Sequence, residues 1–196
     1  MMKNAYALIL AAILFVSANR PVLANDVTVS TATELQNAIQ SAQGGDSILL
    51  LSGNYGDLTV SGRNPAATVF IRAANGATPV FTHLRVQNSS NWTIVDVEVR
   101  PRYSSGADGT NAVVLDGDHL ALEDSRINYA DDVSSWTAAD WLARAGNGIS
   151  MEGTAVTVRN NTINAVDHGI NSSTTDSLVS GNVIANFRGD GIRGLG

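Results

Sequence analysis

Three ionisable side chains near the end of the sequence are spaced as a catalytic group would be. The dipeptide Gly-Ile recurs in "GNGIS", "DHGIN" and "GDGIR", which place isoleucines at Ile149, Ile170 and Ile192. His168 and Asp190 each lie two residues before one of these isoleucines, and Arg193 directly follows the last one. If the three pairs begin equivalent neighbouring strands, His168, Asp190 and Arg193 lie about one strand spacing, ~4.8 Å, apart.

These residue types could remove a proton from the carbon next to a carboxylate. Carboxylates orient a histidine and favour its protonated form, and an arginine can pair bidentately with a substrate carboxylate. A uronate in a polysaccharide has a weakly acidic proton of this kind, at C5. Its removal needs a base, a cation for the carboxylate and an acid for the leaving oxygen. His168, Arg193 and Asp190 are therefore candidate catalytic residues, although polar residues at turns often only satisfy backbone groups.

A repeat of about 22 residues places these side chains. Two faint blocks begin at Ser47 and Thr68. Four clearer blocks follow: "WTIVDVEV" (92–99), "LALEDSRI" (120–127), "VTVRNNTI" (156–163) and "SLVSGNVI" (177–184). The longer intervals between block starts are the repeat plus an insertion. Apolar residues alternate with polar ones within the blocks, which predicts short strands that bury one edge by stacking.

The repeat predicts an all-β protein, a parallel β-helix, rather than a β-sandwich. A sandwich also has short strands, but it rarely repeats the same residue types, as Asn161 and Asn182 do here. With the three isoleucines pointing inward, alternation places Ser150, Asn171 and Arg193 in an outward row. Ser150 and Asn171 are therefore candidate substrate-binding residues.

The segment "STATELQNAIQSAQGGD" predicts an amphipathic helix that caps the solenoid. Thr31 and Glu34 have the spacing of a capping box, and Gly44-Gly45 follows the predicted helix. A helix at this position would cover the open apolar end of the first coil.

Residues 1–24 have the pattern of a secretory signal peptide, with Lys3 before a run of twelve apolar residues. We therefore expect a secreted or periplasmic protein, with residues 25–196 as one β-helix domain and no membrane segment after cleavage. Only 12 residues follow Ile184. This is less than one coil, and we expect the domain to be incomplete at that end.

The charge and the cysteine content of the sequence limit the kinds of molecule the protein is expected to bind and the way its fold is stabilised. Without Lys3 and Arg20, the formal net charge of −6 becomes −8, and no lysine remains. An acidic chain of this kind disfavours a nucleic-acid partner. The absence of cysteine means that packing, not disulfides, must hold an exported chain together.

At "TATELQNAIQSAQGGDSILLLSGNY" the sequence resembles secreted right-handed parallel β-helix proteins, in particular polysaccharide lyases of the chondroitinase B and alginate lyase type. The resemblance implies a right-handed parallel β-helix and action on acidic polysaccharide. It also implies a lysine base with a partner arginine, and in some members carboxylates that hold calcium. The lysine is missing here, as is the Asp-Pro-His pattern of mannuronan C5-epimerases. A lyase, an epimerase-like enzyme and a non-catalytic carbohydrate-binding or surface solenoid therefore remain open.

An insertion, "NYADDVSSWTAADWLARAGN", lengthens the coil before Ile149. Thr137 and Asp140 predict a second capping box. Trp136 and Trp141 are candidate sugar-stacking residues, with packing of the loop onto the coil as the alternative. No metal or cofactor is required by the sequence, although the adjacent carboxylates of Asp131 and Asp132 make calcium a possible ligand.

Overall fold

The computed structural model describes residues 24–194, which fold into a parallel β-helix of 15 strands and two helices. All strand pairs among these residues are parallel and join adjacent coils. The predicted all-β parallel β-helix with an N-terminal capping helix is confirmed. The predicted signal peptide lies outside the described residues, apart from Ala24.

The coils stack into three sheets, which we name faces A, B and C. Face A contains β1 (Asp26–Val29), β2 (Ser47–Leu50), β4 (Val69–Ala73), the end of β5 (Pro79–Val95), the end of β7 (Asn111–Glu123), β10 (Thr157–Arg159) and β13 (Leu178–Ser180). Face B contains the start of β3 (Gly53–Ser61), the start of β5, β6 (Glu98–Val99), β8 (Arg126–Asn128), β11 (Thr162–Val166) and β14 (Val183–Phe187). Face C contains the rest of β3, the middle of β5, the start of β7, β9 (Asn147–Thr154), β12 (Ile170–Thr175) and β15 (Ile192–Gly194).

The register of face A tests the predicted repeat. The four later blocks align as predicted, because β5 pairs with β7, β7 with β10 and β10 with β13 in the expected register. The alignment predicted for the first blocks, Ser47 over Thr68 and Thr68 over Trp92, is wrong. Ser47 lies opposite Phe70, and Val69 lies opposite Trp92. Both early blocks end in an asparagine, but Asn54 and Asn75 are 21 positions apart whereas the strands pair with a step of 23, so these asparagines do not mark equivalent positions.

The Gly-Ile pairs occupy equivalent positions on face C, as predicted. Ile149 pairs with Ile170, which pairs with Ile192. Ile149 and Ile170 are fully buried, whereas Ile192, on the last described coil, is 57% exposed. Ser150, Asn171 and Arg193 pair in the adjacent row. Alternation therefore sets the register of the face that carries the candidate residues.

The glycines of these pairs serve close packing between coils. Gly148 and Gly169 do not have the left-handed backbone that favours glycine in many turns. A Cβ on Gly148 would meet the carbonyl oxygen of Gly169 and lie 2.9 Å from Cγ2 of Ile163. Position 148 therefore requires glycine because the neighbouring coil leaves no room for a side chain.

Asparagines form a hydrogen-bonded row at the turn between faces A and B. The side chain of buried Asn161 accepts from the Ser125 amide and donates to the carbonyl oxygen of Leu122. Its amide group also donates to Oδ1 of Asn182, one coil further on. The equivalence of Asn161 and Asn182 expected from the repeat is confirmed. These contacts satisfy backbone groups that the turn would otherwise bury unpaired.

Two helices flank the coils. Helix α1 (Ala32–Ser41) begins with the predicted capping box of Thr31 and Glu34, and it buries Leu35, Ala38 and Ile39. Helix α2 (Ala138–Arg144) lies in the insertion and begins with the capping box of Thr137 and Asp140. Neither is long and apolar enough to cross a membrane, and the same holds for every helix within residues 24–194.

Candidate functional site

The predicted row on face C contains two polar atoms that are buried without a partner. Ser150 and Arg193 are partly exposed, but Asn171 between them is only 5% exposed. Within residues 24–194, Oδ1 of Asn171 and Nε of Arg193 have no hydrogen-bond partner. The row is therefore less open than alternation alone predicts. An unpaired buried donor and acceptor side by side are costly unless water or a ligand reaches them.

His168, Asp190 and Arg193 come together, as their spacing predicts. Nδ1 of His168 accepts a hydrogen bond from the Asp190 amide at 2.9 Å and lies 3.6 Å from Oδ2 of Asp190. Nη1 of Arg193 lies 3.3 Å from Nε2 of the same ring. The sequence alone could not show that the two ring nitrogens have different roles.

The contacts of His168 define its neutral tautomer. Because Nδ1 accepts from the Asp190 amide, the proton of the neutral ring lies on Nε2. Nε2–H and the Arg193 guanidinium are then two donors that face each other. The carboxylate of Asp167 is 4.0 Å from Nε2, which is beyond hydrogen-bond distance. This arrangement favours His168 as a hydrogen-bond donor over His168 as a base.

Asp167 is engaged by a different cation. Its two oxygens accept from Nε and Nη2 of Arg188, at 2.9 and 2.6 Å. The Arg188 hydrogen bond lowers the pKa of the Asp167 carboxyl. Asp167 therefore remains ionised and serves the ion pair rather than the orientation of His168.

Trp136 and Trp141 pack against each other. Their rings meet edge to face, with centroids 4.9 Å apart and planes at 78°. The Arg144 guanidinium lies 5.9 Å from the centre of the Trp136 ring. Both indoles are partly buried, and Trp136 also contacts the core. Most of the surface of both indole rings is therefore used in packing the loop. Trp136, unlike Trp141, also lines an open cleft.

The two adjacent aspartates of the insertion accept hydrogen bonds from protein groups. Asp131 accepts from Nη2 of Arg100 at 2.6 Å and from the side-chain amide of Asn128 at 2.6 Å. These hydrogen bonds, that from Asn128 first, lower the pKa of Asp131. Asp132 accepts from the Ser134 amide. Within residues 24–194, no group of three or more His, Asp or Glu side chains is arranged to hold a metal ion.

A cleft of about 380 Å³ lies between the insertion and the segment that follows β6. Aromatic and charged side chains line it, among them Arg102, Tyr103, Tyr129, Asp131, Trp136 and Arg144. Arg102 is held in place because Nη1 donates to the backbone oxygens of Asn128 and Tyr129, both at 2.7 Å. Burial lowers the pKa of Arg102 and raises that of Tyr129.

Behind this cleft lies a hydrogen-bonded chain that the sequence did not predict. Nδ1 of His83 lies 3.0 Å from Oδ1 of Asp57, and Nε2 lies 2.8 Å from the Tyr103 hydroxyl. Asp57 and His83 pair across adjacent coils of face C. A correct repeat length in the early coils would have placed them together. Tyr103 lies on an irregular segment outside the strands, so the repeat in the sequence could not predict its contact with His83.

No protein-family model matches the sequence, and no curated protein matches it. Solved structures do. A PL6 family polysaccharide lyase from Pseudopedobacter saltans superimposes with a TM-score of 0.50 at 14% identity, over 83% of this chain and 53% of that one. An alginate lyase from a Paenibacillus species gives 0.41 at 14% identity, over 83% of this chain and 76% of that one. The PL6 family alginate lyase AlyGC gives 0.42 at 14% identity, over 88% and 38%.

The likeness to the Pseudopedobacter structure concerns the fold alone. The protein has the parallel β-helix of polysaccharide lyases, as the resemblance in the sequence implied. The chain spans about half the length of the Pseudopedobacter enzyme. The shared fold by itself assigns no activity to the chain.

Proposed function

We propose that the protein is an exported enzyme that binds an acidic, uronate-containing polysaccharide along face C and cleaves it by β-elimination. The signal pattern in residues 1–24 supports export, and the fold shared with a polysaccharide lyase supports the substrate class. Ser150 and Asn171 precede Arg193 in the same row of face C, and the polymer would run along this row. His168, Arg193 and Asp190 form the centre that receives the substrate carboxylate.

One observation carries this proposal. Nε2–H of His168 and the Arg193 guanidinium are donors within 3.3 Å of each other, and Nε of Arg193 has no partner within the described residues. Two donors in contact repel each other unless an acceptor lies between or beside them. A carboxylate fits this position because it accepts from an arginine bidentately and from an imidazole with the remaining capacity.

The chemistry follows from neutralising that carboxylate. The proton at C5 becomes more acidic when the adjacent carboxylate is paired, since the charge that develops as it leaves is stabilised. Asp190 would hold the His168 ring through its amide, so that Nε2–H points at the substrate. The Asp190 carboxylate, whose side chain is 57% exposed, would take the C5 proton and return it to the oxygen that departs from C4 as the C4–C5 double bond forms, which leaves an unsaturated uronate.

The test uses the whole chain and a panel of polymannuronate, polyguluronate, polygalacturonate and chondroitin. Formation of the unsaturated uronate is followed by ultraviolet absorbance, and binding by calorimetry. Arg193→Ala should weaken binding and lower kcat/KM by about 100-fold or more, as expected for loss of a charged contact in the transition state. His168→Ala should lower kcat/KM with a smaller effect, because it removes one uncharged donor.

Arg72→Gln is the matched control, since Arg72 is an exposed arginine on face A, 4.0 Å from Asp26. It should behave as the wild type. Binding without any product would contradict the enzyme and favour a carbohydrate-binding solenoid. Exchange of the C5 proton without an unsaturated product would favour an epimerase.

A further inference from the structure

Most arginines of this acidic protein pair with a carboxylate. Within residues 24–194, the following arginines lie within 4.0 Å of an aspartate or glutamate oxygen: Arg72, Arg100, Arg126, Arg144, Arg159 and Arg188. The arginines without such a partner in this part of the chain are Arg63, Arg85, Arg102 and Arg193. An arginine guanidinium binds carboxylates strongly and bidentately. An anionic ligand can therefore reach these arginines without displacing a protein carboxylate.

Arg85 and Arg193 lie on the same outward row of face C. Arg85 pairs with Val114, which pairs with Ser150 on the next coil. Ser150 pairs with Asn171, and Asn171 pairs with Arg193. These pairings make four coil steps between the two arginines, or ~19 Å at ~4.8 Å a step. The row along which the polymer is proposed to run therefore carries an arginine without a carboxylate partner at two places.

The guanidinium of Arg85 is weakly engaged. Arg85 is partly exposed, and within residues 24–194 its side chain makes one long hydrogen bond, from Nη1 to the carbonyl oxygen of Asn111 at 3.4 Å. Asp57 on the adjacent coil lies 3.0 Å from Nδ1 of His83 instead. Burial raises the pKa of Tyr129, and the positive charge of Arg85 opposes this rise, which places Arg85 near the cleft that Tyr129 lines. Arg85 is therefore free to turn towards a ligand on the row.

The charges beside the row differ on its two sides. Asp116 and Glu152 pair on the next outward row, two positions further along each strand. Arg102 lies on the opposite side, in the segment that precedes β7, and its Nη1 is held by backbone oxygens rather than by a carboxylate. A polyanion is repelled by the two carboxylates and attracted by the arginine. We therefore expect the polymer to follow the side of the row nearer the cleft and His168.

We propose that Arg85 is a binding residue for the carboxylate of a second uronate, about four sugars away from the uronate held by Arg193 and His168. The inference rests on the proposed polysaccharide substrate and adds no second reaction centre. One 1,4-linked uronate extends a chain by about one coil spacing, so the number of sugars matches the number of coil steps. Where each sugar is turned over relative to the last, every second carboxylate faces the same side, and the fourth one along faces the protein again.

The separation of the two arginines makes the contact at Arg85 depend on chain length. A ligand that spans both and contains the bond to be broken has about five or six sugars, depending on the direction in which the chain extends past that bond. Within one chain the second carboxylate binds in an intramolecular step, so its contribution appears only above this length. Because Arg85 contacts a sugar remote from the reacting carbon, it is expected to lower KM and leave kcat unchanged.

The experiment compares the wild type, Arg85→Gln and Arg85→Lys in the whole chain. The substrates are oligomannuronates, oligoguluronates and oligogalacturonates from the dimer to the octamer. Cleavage is followed by ultraviolet absorbance, and binding of oligomers that are not cleaved is followed by calorimetry. Arg85→Gln should lower kcat/KM on the octamer by about tenfold, through KM, with a far smaller effect on the tetramer, which is too short to reach Arg85 from Arg193. Arg85→Lys keeps the charge and should retain part of the octamer rate.

Arg72→Gln is the matched control, because it also removes one positive charge, from face A and away from the row. It should keep the wild-type ratio of octamer to tetramer kcat/KM, which corrects for the larger number of bonds in the octamer. Circular dichroism checks the folding of each variant. A further measurement needs no variant: the wild-type preference for the octamer should fall as salt is raised, because salt screens the contact at Arg85.

The outcomes separate the two proposals. Product formed with the same octamer-to-tetramer ratio in Arg85→Gln and in the wild type would overturn the role of Arg85 and leave the lyase standing. An octamer affinity that exceeds the tetramer affinity and falls to it in Arg85→Gln, without any product, would overturn the lyase and keep the second carboxylate site. A wild type that neither cleaves nor binds any of these oligomers would overturn both.

Discussion

Arg188 and Asp167 form a bidentate ion pair between adjacent coils, with Nε to Oδ1 at 2.9 Å and Nη2 to Oδ2 at 2.6 Å. The Asp167 side chain is only 10% exposed and the Arg188 side chain is 30% exposed, so the carboxylate is the shielded member of the pair. Nη2 of Arg188 also reaches Oδ1 of Asp108 at 2.7 Å. The arginine thereby ties the segment between β6 and β7 to the coils that carry His168.

Arg188→Gln should lower the free energy of unfolding at neutral pH by about 1–3 kcal/mol, because it leaves a shielded carboxylate without its cation. The pKa of Asp167 is lowered from 3.8 in the folded state. Its contribution is present above that value and is lost as the pH falls through the folded value. The difference between wild type and variant should therefore shrink below about pH 4.

Urea denaturation followed by circular dichroism at pH 7 and pH 3 measures this difference. Arg72→Gln, which removes an exposed arginine, should change stability by less than about 0.5 kcal/mol. A wild-type advantage over Arg188→Gln that stays constant or grows towards low pH would contradict the role of the pair.

Gly169→Ala should destabilise the protein by about 1–3 kcal/mol, because an added methyl group overpacks the space between coils. The new Cβ would meet the carbonyl oxygen of Gly191 and lie 2.7 Å from Cγ2 of Ile184. At Gly191 the nearest atom, on the Phe187 ring, is 3.7 Å away, which is an ordinary contact. Gly191→Ala is therefore the matched control. Equal denaturation midpoints for the two variants would argue against close packing as the reason for glycine.

Asn161→Ala should cost about 2–4 kcal/mol of folding free energy, since more than one buried polar group loses its partner. The Ser125 amide and the Leu122 carbonyl oxygen are the groups affected. Thr162→Ala, at the exposed neighbouring position, should be nearly neutral. Denaturation curves of the two variants check this, and a mild effect at Asn161 would mean that water replaces the side chain.

Trp136→Ala should weaken binding of an acidic oligosaccharide by about tenfold, equivalent to about 1.4 kcal/mol, through lost stacking area in the cleft. Leu142→Ala changes an exposed residue of helix α2 and should leave the affinity unchanged. Isothermal titration calorimetry with an oligosaccharide that the wild type binds gives both values. Unchanged affinity in Trp136→Ala would assign this ring to loop packing alone.

Local patterns in the sequence are sufficient for the features that depend on neighbouring residues. The capping boxes at Thr31 and Thr137 need only a Thr followed three positions later by an acidic residue, and both are present. Alternation within a strand and repetition between coils place Ile149 over Ile170, and Asn161 near Asn182. Because period two forces a side chain to one face, a single buried residue determines the facing of its neighbours.

Tertiary structure decided the features that depend on coil length and on the irregular segments. The early coils depart from the predicted alignment by one or two positions, which hid the pairing of Asp57 with His83. Tyr103 reaches His83 from a segment without periodicity, and Asp131 accepts a hydrogen bond from Arg100, 31 residues earlier in the chain. In each of these contacts, the segment between two strands folds back over the coils, and the position it reaches determines which side chains meet. That position depends on packing between residues remote in sequence, which no local spacing records.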